Sequence, residues 1–168
     1  TYTATPTRVR TATSPPTPIL PPTITPSPTV TPTPAAASVL PTSTLSPFPF
    51  IVQRGTPRIR DNYLNGAGCD WLGVVGTTIT NTGDHVQDID VRVWSEDGTL
   101  VATTTSGDAP IYGASGWEVQ LGDAPAVGRY SVGLWANDIA LSEPVSFLLQ
   151  GTCESNLAKI NFVRIRPY

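Results

Sequence analysis

The sequence predicts an all-β protein with a long extended tail at its N-terminus. Residues 1–47 are dominated by Thr, Pro, Ser and Ala, which supply too little apolar surface for a packed core. From residue 48 onward, short runs alternate between apolar and polar side chains, and turn-forming residues separate them. No stretch has the 3.6-residue period of a helix. We therefore divide the chain into a tail, residues 1–47, and one folded domain, residues 48–168.

The predicted strands follow the alternation of side chains along the domain. They are Phe50–Arg60, Leu72–Thr80, Val86–Trp94, Thr99–Thr105, Trp117–Leu121, Arg129–Trp135, Ile139–Leu149 and Leu157–Arg166. Asn, Asp and Gly lie between them, and Asp97-Gly98 is the strongest hairpin signal. Short strands joined by such turns are typical of a single Greek-key β-sandwich of the immunoglobulin or fibronectin type.

Two tryptophans are predicted to lie outside the core. Trp94 falls on the face opposite Val91 and Val93, and Trp135 on the face opposite Val132 and Leu134. Exposed Trp is uncommon, and Trp is a preferred anchor in protein interfaces. Three interpretations stay open: a stacking platform for sugar rings, a protein interface, and a position that the tail or a crossing strand covers.

Cys69 and Cys153 are the two cysteines of the chain. In a cytosolic protein they would be read as buried, inert thiols, whereas beside a Thr/Pro-rich tail we expect an extracellular location and a disulfide between them. Closing a loop of this length stabilises a fold by about 4–5 kcal/mol in the chain-entropy model. The chain contains no Met and opens at Thr1, so we expect a processed form of a secreted, cell-surface protein.

The tail alternates more regularly than a generic stalk. From position 16 to 34 every even residue is Pro or aliphatic, and the odd residues are hydroxylic except Ile19 and Pro21. In a β conformation the missing proline donors would all lie on one edge, and the other edge could pair with a neighbouring sheet. The candidate tail strand for assembly comprises Thr23, Ile24, Thr25, Ser27, Thr29, Val30, Thr31 and Thr33. Thr-Pro repeats also produce this alternation without any such role.

The tail also predicts covalent O-glycans. The chain contains no Asn-x-Ser/Thr sequon, so any sugar would be attached through hydroxyl groups. The candidate O-glycosylation sites are Thr17, Thr23, Thr25, Ser27, Thr29, Thr31 and Thr33. The alternative that involves no pairing is a flexible or polyproline II stalk that carries these glycans.

The titratable residues predict no catalysis. His85 is the lone histidine and lies in a turn, and residues 113–116 lack the G-x-S-x-G spacing of a nucleophile elbow. The glutamates, Glu96, Glu118, Glu143 and Glu154, form no recognisable glycosidase pair. We expect no enzyme activity, no cofactor and no metal site, although turn aspartates leave structural calcium open.

Charge and hydropathy exclude two classes of partner. The chain has 10 Lys and Arg against 13 Asp and Glu, a net charge of −3, and its arginines are scattered along the sequence. This composition predicts no nucleic-acid partner. No apolar run approaches the roughly 20 residues of a membrane span.

Four segments of the domain resemble a known arrangement. They are residues 69–76 (CDWLGVVG), 112–122 (YGASGWEVQLG), 141–147 (LSEPVSF) and 153–163 (CESNLAKINFV). In this order they resemble a Cys–Trp β-sandwich domain found behind Thr/Pro stalks in surface proteins of Chloroflexota-type bacteria. The resemblance covers roughly residues 65–165 and departs after Gly76, where an Asp/Asn-Gly-x-Pro turn is expected. That family has no assigned activity, so the resemblance implies a fold and a compartment alone.

Two functions follow as hypotheses. The first is a structural subunit of an extracellular filament or surface assembly, a homopolymer in which the ordered tail packs on or between sandwiches. A tail that reaches the next copy head-to-tail forms a heterologous contact, which does not close and therefore gives a filament. The alternative is a stalked, non-catalytic module that binds carbohydrate or protein through Trp94 and Trp135.

Overall fold

The structure is a computed structural model, and it describes residues 46–168. The strands are β1 (Phe50–Val52), β2 (Arg58–Arg60), β3 (Leu72–Thr80), β4 (Asp90–Ser95), β5 (Leu100–Thr105), β6 (Gly116–Gly122), β7 (Val127–Ala136), β8 (Ile139–Ala140), β9 (Val145–Gln150), β10 (Leu157–Lys159) and β11 (Phe162–Arg164). Two short 3₁₀ turns, Pro110–Tyr112 and Cys153–Ser155, interrupt the connections. The predicted all-β fold class is therefore confirmed.

Sheet I contains β1, β2, β3, β6, β10 and β11 and is organised around β3. On one edge β3 pairs antiparallel with β6, and on the other it pairs parallel with β10 and then with β11. β2 and β1 lie antiparallel outside β10 and β11. β1/β2 and β10/β11 therefore act as two interrupted strands. At the interruption the side-chain oxygen of Asn161 accepts the amide of Thr77 at 3.2 Å, so this donor stays paired.

Sheet II contains β4, β5, β7, β8 and β9, in the order β5–β4–β7 followed by β8 and β9 on the second edge of β7. The pairings β3–β6 in sheet I and β4–β7–β9 in sheet II correspond to strands B–E and C–F–G of immunoglobulin-type sandwiches. The two sheets touch at one corner, where the amide of Phe50 donates to the carbonyl of Leu141 at 2.9 Å. The sequence did not predict the parallel pairing of the last strand with β3.

The main core lies between the two sheets, and the alternation of side chains explains its membership. It contains the core residues expected from β4 and β7 together with inward residues of sheet I. The fully buried members include Phe50, Leu72, Val74, Ile89, Val91, Val93, Trp117, Val132, Leu134, Leu149, Ile160 and Phe162. Trp94 and Trp135 do not belong to it.

A second, smaller apolar cluster lies outside sheet I. Trp71, Val75 and Leu157 are buried there, and Tyr112 packs against them. The disulfide between Cys69 and Cys153 joins the segment before β3 to the segment before β10. The predicted pairing of the cysteines is thus confirmed.

Several strand boundaries differ from the predicted ones. Phe50–Arg60 is two strands, because the chain leaves the sheet at residues 53–57, and Ile139–Leu149 is likewise divided into β8 and β9. The strand predicted from Val86 begins at Asp90 instead. The hairpin at Asp97-Gly98 forms as predicted, with Gly98 at a φ of 84°. Because L side chains rarely adopt that conformation, Gly is suited to this position.

Candidate functional site

The outer face of sheet II carries the two predicted surface tryptophans. Trp94 on β4 and Trp135 on β7 are both half-buried, and their ring centroids lie 6.0 Å apart. Gly133, opposite Arg92 in the ladder, leaves space into which the ring of Trp94 leans. We call this surface, formed by Arg92, Trp94, Gly133 and Trp135, the Trp face.

Arg92 organises the Trp face. Its guanidinium lies 4.7 Å from the ring centroid of Trp135, and its Nη2 donates to Asp138 Oδ1 at 2.7 Å. Asp90 adds a second carboxylate at 3.7 Å. Because the two indoles are tilted by 54° and the guanidinium covers one ring, the face is not a flat platform.

The free edge of sheet II is strand β5. Its ladder partner is β4, and nothing else in residues 46–168 pairs with it. The strand contains no charged residue and no Pro, and Leu100 and Val101 are 50% and 45% exposed. Protein edges are normally protected by charge, Pro or bulges, since an open edge can pair with another chain. β5 lacks the first two of these protections.

The hydrogen-bonding pattern identifies which groups of β5 face outward. The amide of Ser106 donates inward to the carbonyl of Ile89 at 2.9 Å, whereas the amide of Thr105 is taken by Asp108 Oδ2 at 3.2 Å. The register shift between Val93 and Trp94 leaves Val101 without a ladder partner, as in a β-bulge. Because inward and outward groups alternate along the regular part of the strand, Thr103 directs its N–H and C=O groups away from β4. These groups are available to an added strand.

Most of the other edges are less open. β2 carries Arg58 and Arg60, and β6 carries Glu118. Beside β8 and the start of β9, Ser46 and residues 50–52 line the same groove as Glu143, Pro144 and Val145. Beyond Val145, β9 is also an uncharged edge, and β5 is the uncharged edge on the side away from residues 46–50.

His85 lies in the connection between β3 and β4. It is exposed, but its Nδ1 lies 2.9 Å from the hydroxyl of Ser115 and accepts the Ser115 amide at 3.3 Å. Ser115 is fully buried, and no carboxylate in residues 46–168 hydrogen-bonds to the imidazole. Gly113 accepts the amide of Gly116 at 2.7 Å, so the segment is a tight connection and not a nucleophile elbow. The Ser–His contact closes this turn.

The turn aspartates serve local geometry. Hydroxyl groups of Thr82 and then Thr80 bind the carboxylate of Asp84 and lower its pKa. The Ser95 hydroxyl, followed by the amide of residue 99, lowers the pKa of Asp97. Within residues 46–168 no group of three His, Cys, Asp or Glu side chains is placed to hold a metal ion.

A polar cluster adjoins the small apolar cluster outside sheet I. The Tyr112 hydroxyl donates to Glu118, and the Asn65 amide reaches the same carboxylate oxygen at 3.3 Å. Burial, followed by the hydrogen bond to Glu118, raises the pKa of the Tyr112 phenol. Asn156, which is fully buried, accepts the amide of Asn62 at 2.8 Å and donates to Trp71 O at 2.9 Å. These contacts hold the segment before β3 against sheet I, so they have a structural role.

The predicted tail strand and the O-glycosylation sites, residues 17–33, lie outside the described residues.

The sequence predicted the positions of the two tryptophans of the Trp face but did not predict the open edge. The run Leu-Val-Ala-Thr-Thr-Thr at residues 100–105 was the available signal, because it is a predicted strand without charge or Pro. Among residues 46–168 no helix is long and apolar enough to cross a bilayer.

Comparisons with known proteins give little further guidance. No family model and no curated protein matches the sequence. Among solved structures, chlorocatechol 1,2-dioxygenase from Pseudomonas putida aligns with 66% of this chain and 71% of its own, at 13% identity and a TM-score of 0.33. A likeness this weak carries no argument about function. The resemblance to Chloroflexota-type surface proteins therefore stays a prediction.

Proposed function

We propose that the protein is a non-catalytic structural subunit of an extracellular filament, in which the tail of one copy adds as a strand to β5 of the next. The open, uncharged edge of β5 is the observation that carries this proposal. Thr103 offers outward N–H and C=O groups on the regular part of that edge, where such groups recur at every second residue. The tail offers the same spacing, because its hydroxylic residues between Thr23 and Thr33 occupy odd positions.

The alternation of the tail also fits the two faces of sheet II. In an antiparallel pair, residues directly opposite each other share a face. Thr103 lies opposite Arg92 on the outer face, whereas Ala102 lies opposite Val93 on the core face. A tail threonine bonded to Thr103 would therefore lie outside, and the tail prolines and aliphatic residues would extend the core beside Ala102.

This arrangement accommodates the expected O-glycans. The tail threonines would project from the outer face, where a bulky sugar meets solvent rather than the core. The prolines lack a donor on the far edge, so the added strand would not recruit a further chain. The assembly would thus grow along the filament and not sideways through the tail.

The position at which the tail meets the domain favours a contact between copies. Residues 46–50 lie beside β8 and β9, at the opposite edge of sheet II from β5. Each copy would then present a tail at one edge and an acceptor strand at the other. Such a heterologous contact propagates without closing.

Two tail variants with one additional Pro each test the pairing. Thr29→Pro removes a donor from the bonding edge and should abolish polymer formation, whereas Val30→Pro alters the free edge and should preserve it. Sedimentation velocity and electron microscopy of the full chain measure both. Equal behaviour of the two variants would refute strand addition, and a monomer whose β5 amides are protected from exchange would show that the tail pairs within its own chain.

A matched pair of variants also tests β5 as the acceptor strand. Thr103→Pro removes an outward donor while leaving the β4 ladder intact, so the domain should fold but not polymerise. Thr103→Val keeps the backbone donor and should assemble normally. A polymer formed by Thr103→Pro would exclude β5 as the acceptor.

The Trp face supports a second candidate, a displayed binding module. Its observation is the pair of half-buried rings, Trp94 and Trp135, on the outer face of sheet II, with Arg92 against one ring. Under this proposal, Trp94→Ala would abolish binding to a glycan or proline-rich peptide array and leave polymerisation unchanged. If Trp94→Ala instead abolished assembly and the array showed no ligand for the parent protein, the Trp face would belong to the filament contact.

A further inference from the structure

A cavity of about 280 Å³ on the outer face of sheet I gathers basic residues that are distant in sequence. Arg54, Arg58, Arg60 and Lys159 line it, together with Gln53, Gly55, Thr56 and Asn161. These basic residues are scattered along the sequence, and the fold brings them together. Within the part of the chain that the structure describes, no carboxylate lines the cavity.

The register of sheet I places like charges next to each other. Lys159 on β10 is directly opposite Arg58 on β2, and both side chains lie on the outer face because Ile59 and Ala158 face the core. Like charges directly opposite each other destabilise a sheet. The Nε of Arg60 lies 3.8 Å from Oδ1 of Asp61, which is a long ion pair. Arg58 and Lys159 form no ion pair within residues 46–168. A bound anion would offset this repulsion.

A charged edge strand alone would explain Arg58 and Arg60, since edges are often protected in this way. It does not explain Lys159, which lies on an inner strand between β2 and β3 and is half-buried. The positive charge therefore continues inward from the edge across two strands.

The neutral groups of the cavity are also arranged as donors. The Asn161 oxygen accepts the amide of Thr77, so its Nδ2 donates to Gln53 Oε1 at 2.8 Å. This leaves the Nε2 of Gln53 as a donor without a partner in the described residues. The Nε of Arg58 donates to the carbonyl of Gly55 at 2.8 Å, which fixes the guanidinium against the turn. The side-chain oxygens of Asn161 and Gln53 are therefore occupied as acceptors, and Nε2 of Gln53 remains as a donor.

We propose that this cavity binds an oxyanion, a sulfate, phosphate or carboxylate group, either free or carried on an acidic glycan. Arg58 and Lys159 provide the central charges, and Gln53 and Arg54 donate from the turn. The volume, about 280 Å³, lies just below the usual range for small-ligand sites, so it suits a single anionic group. The net charge of −3 disfavours a nucleic-acid backbone, which requires an extended basic surface.

Calorimetric titration of the full chain with inorganic sulfate, inorganic phosphate, sulfated dextran, neutral dextran and a DNA oligonucleotide tests the proposal. We expect binding of the anions or the sulfated polymer and none of neutral dextran. Arg58→Gln and Lys159→Gln should each weaken binding about tenfold or more, because each removes a charge-assisted hydrogen bond. The matched control Arg166→Gln removes an exposed charge outside the cavity and should stay within about twofold.

Thermal unfolding of the same variants without any anion gives a second readout. Arg58→Gln and Lys159→Gln should unfold at the same or a higher temperature than the parent, since each relieves like-charge repulsion. Tighter binding of sulfated dextran than of sulfate would identify the glycan as the source, and the reverse would identify the free ion. Absence of binding to every anion, equal affinity in all three variants, or tighter binding of a DNA oligonucleotide than of sulfated dextran would overturn the proposal.

Discussion

Replacing Gly76 by Ala should cost a large part of the stability of the sandwich. Gly76 lies on β3, directly beneath the interruption between β10 and β11. A Cβ at this position would lie 1.7 Å from the carbonyl oxygen of Ile160 and 2.5 Å from Cζ2 of Trp117. Ordinary van der Waals contact begins at 3.4 Å, and both neighbours are fully buried.

The magnitude follows from what must move. If the Ile160 backbone retreats, the hydrogen bond from its amide to the carbonyl of Val75, now 2.8 Å, is lost in the interior. An unsatisfied buried backbone group costs about 1–3 kcal/mol, and overpacking of a dense core costs about 1–3 kcal/mol. We therefore expect Gly76→Ala to lower the free energy of unfolding by about 2–6 kcal/mol, out of the roughly 5–15 kcal/mol typical of a domain.

Urea unfolding of the full chain, followed by tryptophan fluorescence, measures this difference. Gly122→Ala is the matched control, because a Cβ there meets no atom closer than 3.7 Å. It should change the unfolding free energy by less than about 1 kcal/mol. If Gly76→Ala and Gly122→Ala had the same midpoint and the same slope, the close approach of Ile160 to β3 would be wrong.

Three further predictions concern the disulfide and two ionisable groups. Replacing both Cys69 and Cys153 by Ala should lower the unfolding free energy by about 4–5 kcal/mol, because the bond joins residues 84 apart; a loss below about 1 kcal/mol in urea would contradict the loop-entropy argument. Tyr112→Phe should cost about 1 kcal/mol at neutral pH by removing the hydrogen bond to Glu118. The folded-state pKa of Tyr112 is raised, so its contribution to stability is complete below the ordinary tyrosine pKa near 10 and is lost as the pH rises above that value. Thermal scans from pH 8 to 12 should show that the unfolding temperature falls more steeply for the parent than for Tyr112→Phe. Parallel declines would refute this. The pKa of Asp97 is lowered, so its contribution to stability is present above the unfolded value of 3.8 and is lost as the pH falls through the folded value. Asp97→Asn should therefore reduce the loss of stability at acid pH. An unchanged loss would argue that the hydrogen bonds of Asp97 in its turn do not stabilise the fold.

The strands were predictable where one face is buried and the other is exposed. β3 has the predicted bounds, and the core faces of β4 and β7 follow from alternation alone, because successive side chains point to opposite sides of a sheet. The Asp97-Gly98 hairpin was predictable from local backbone preference. Interruptions were not: residues 53–57 leave the sheet, and the break at Asn161 is stabilised by an amide from β3, a contact distant in sequence.

The candidate sites were also predictable only in part. Period-two alternation placed Trp94 and Trp135 outside the core, but only the tertiary structure brought the rings to 6.0 Å and set Arg92 against one of them. The scattered arginines gave no sign that Arg58 and Lys159 would be neighbours, since the register of β2 against β10 decides that.

By itself, the sequence determined the all-β class, the inward and outward faces of the strands and the chemistry of the tail. These are local properties, because strand alternation, turn preference and composition act over a few residues. Tertiary structure decided which strands end sheet II, and hence that an uncharged β5 is one of its open edges. It also decided that β2 pairs antiparallel with β10, which gathers the basic cavity. Pairing between strands joins residues far apart in the chain, and no local pattern specifies it.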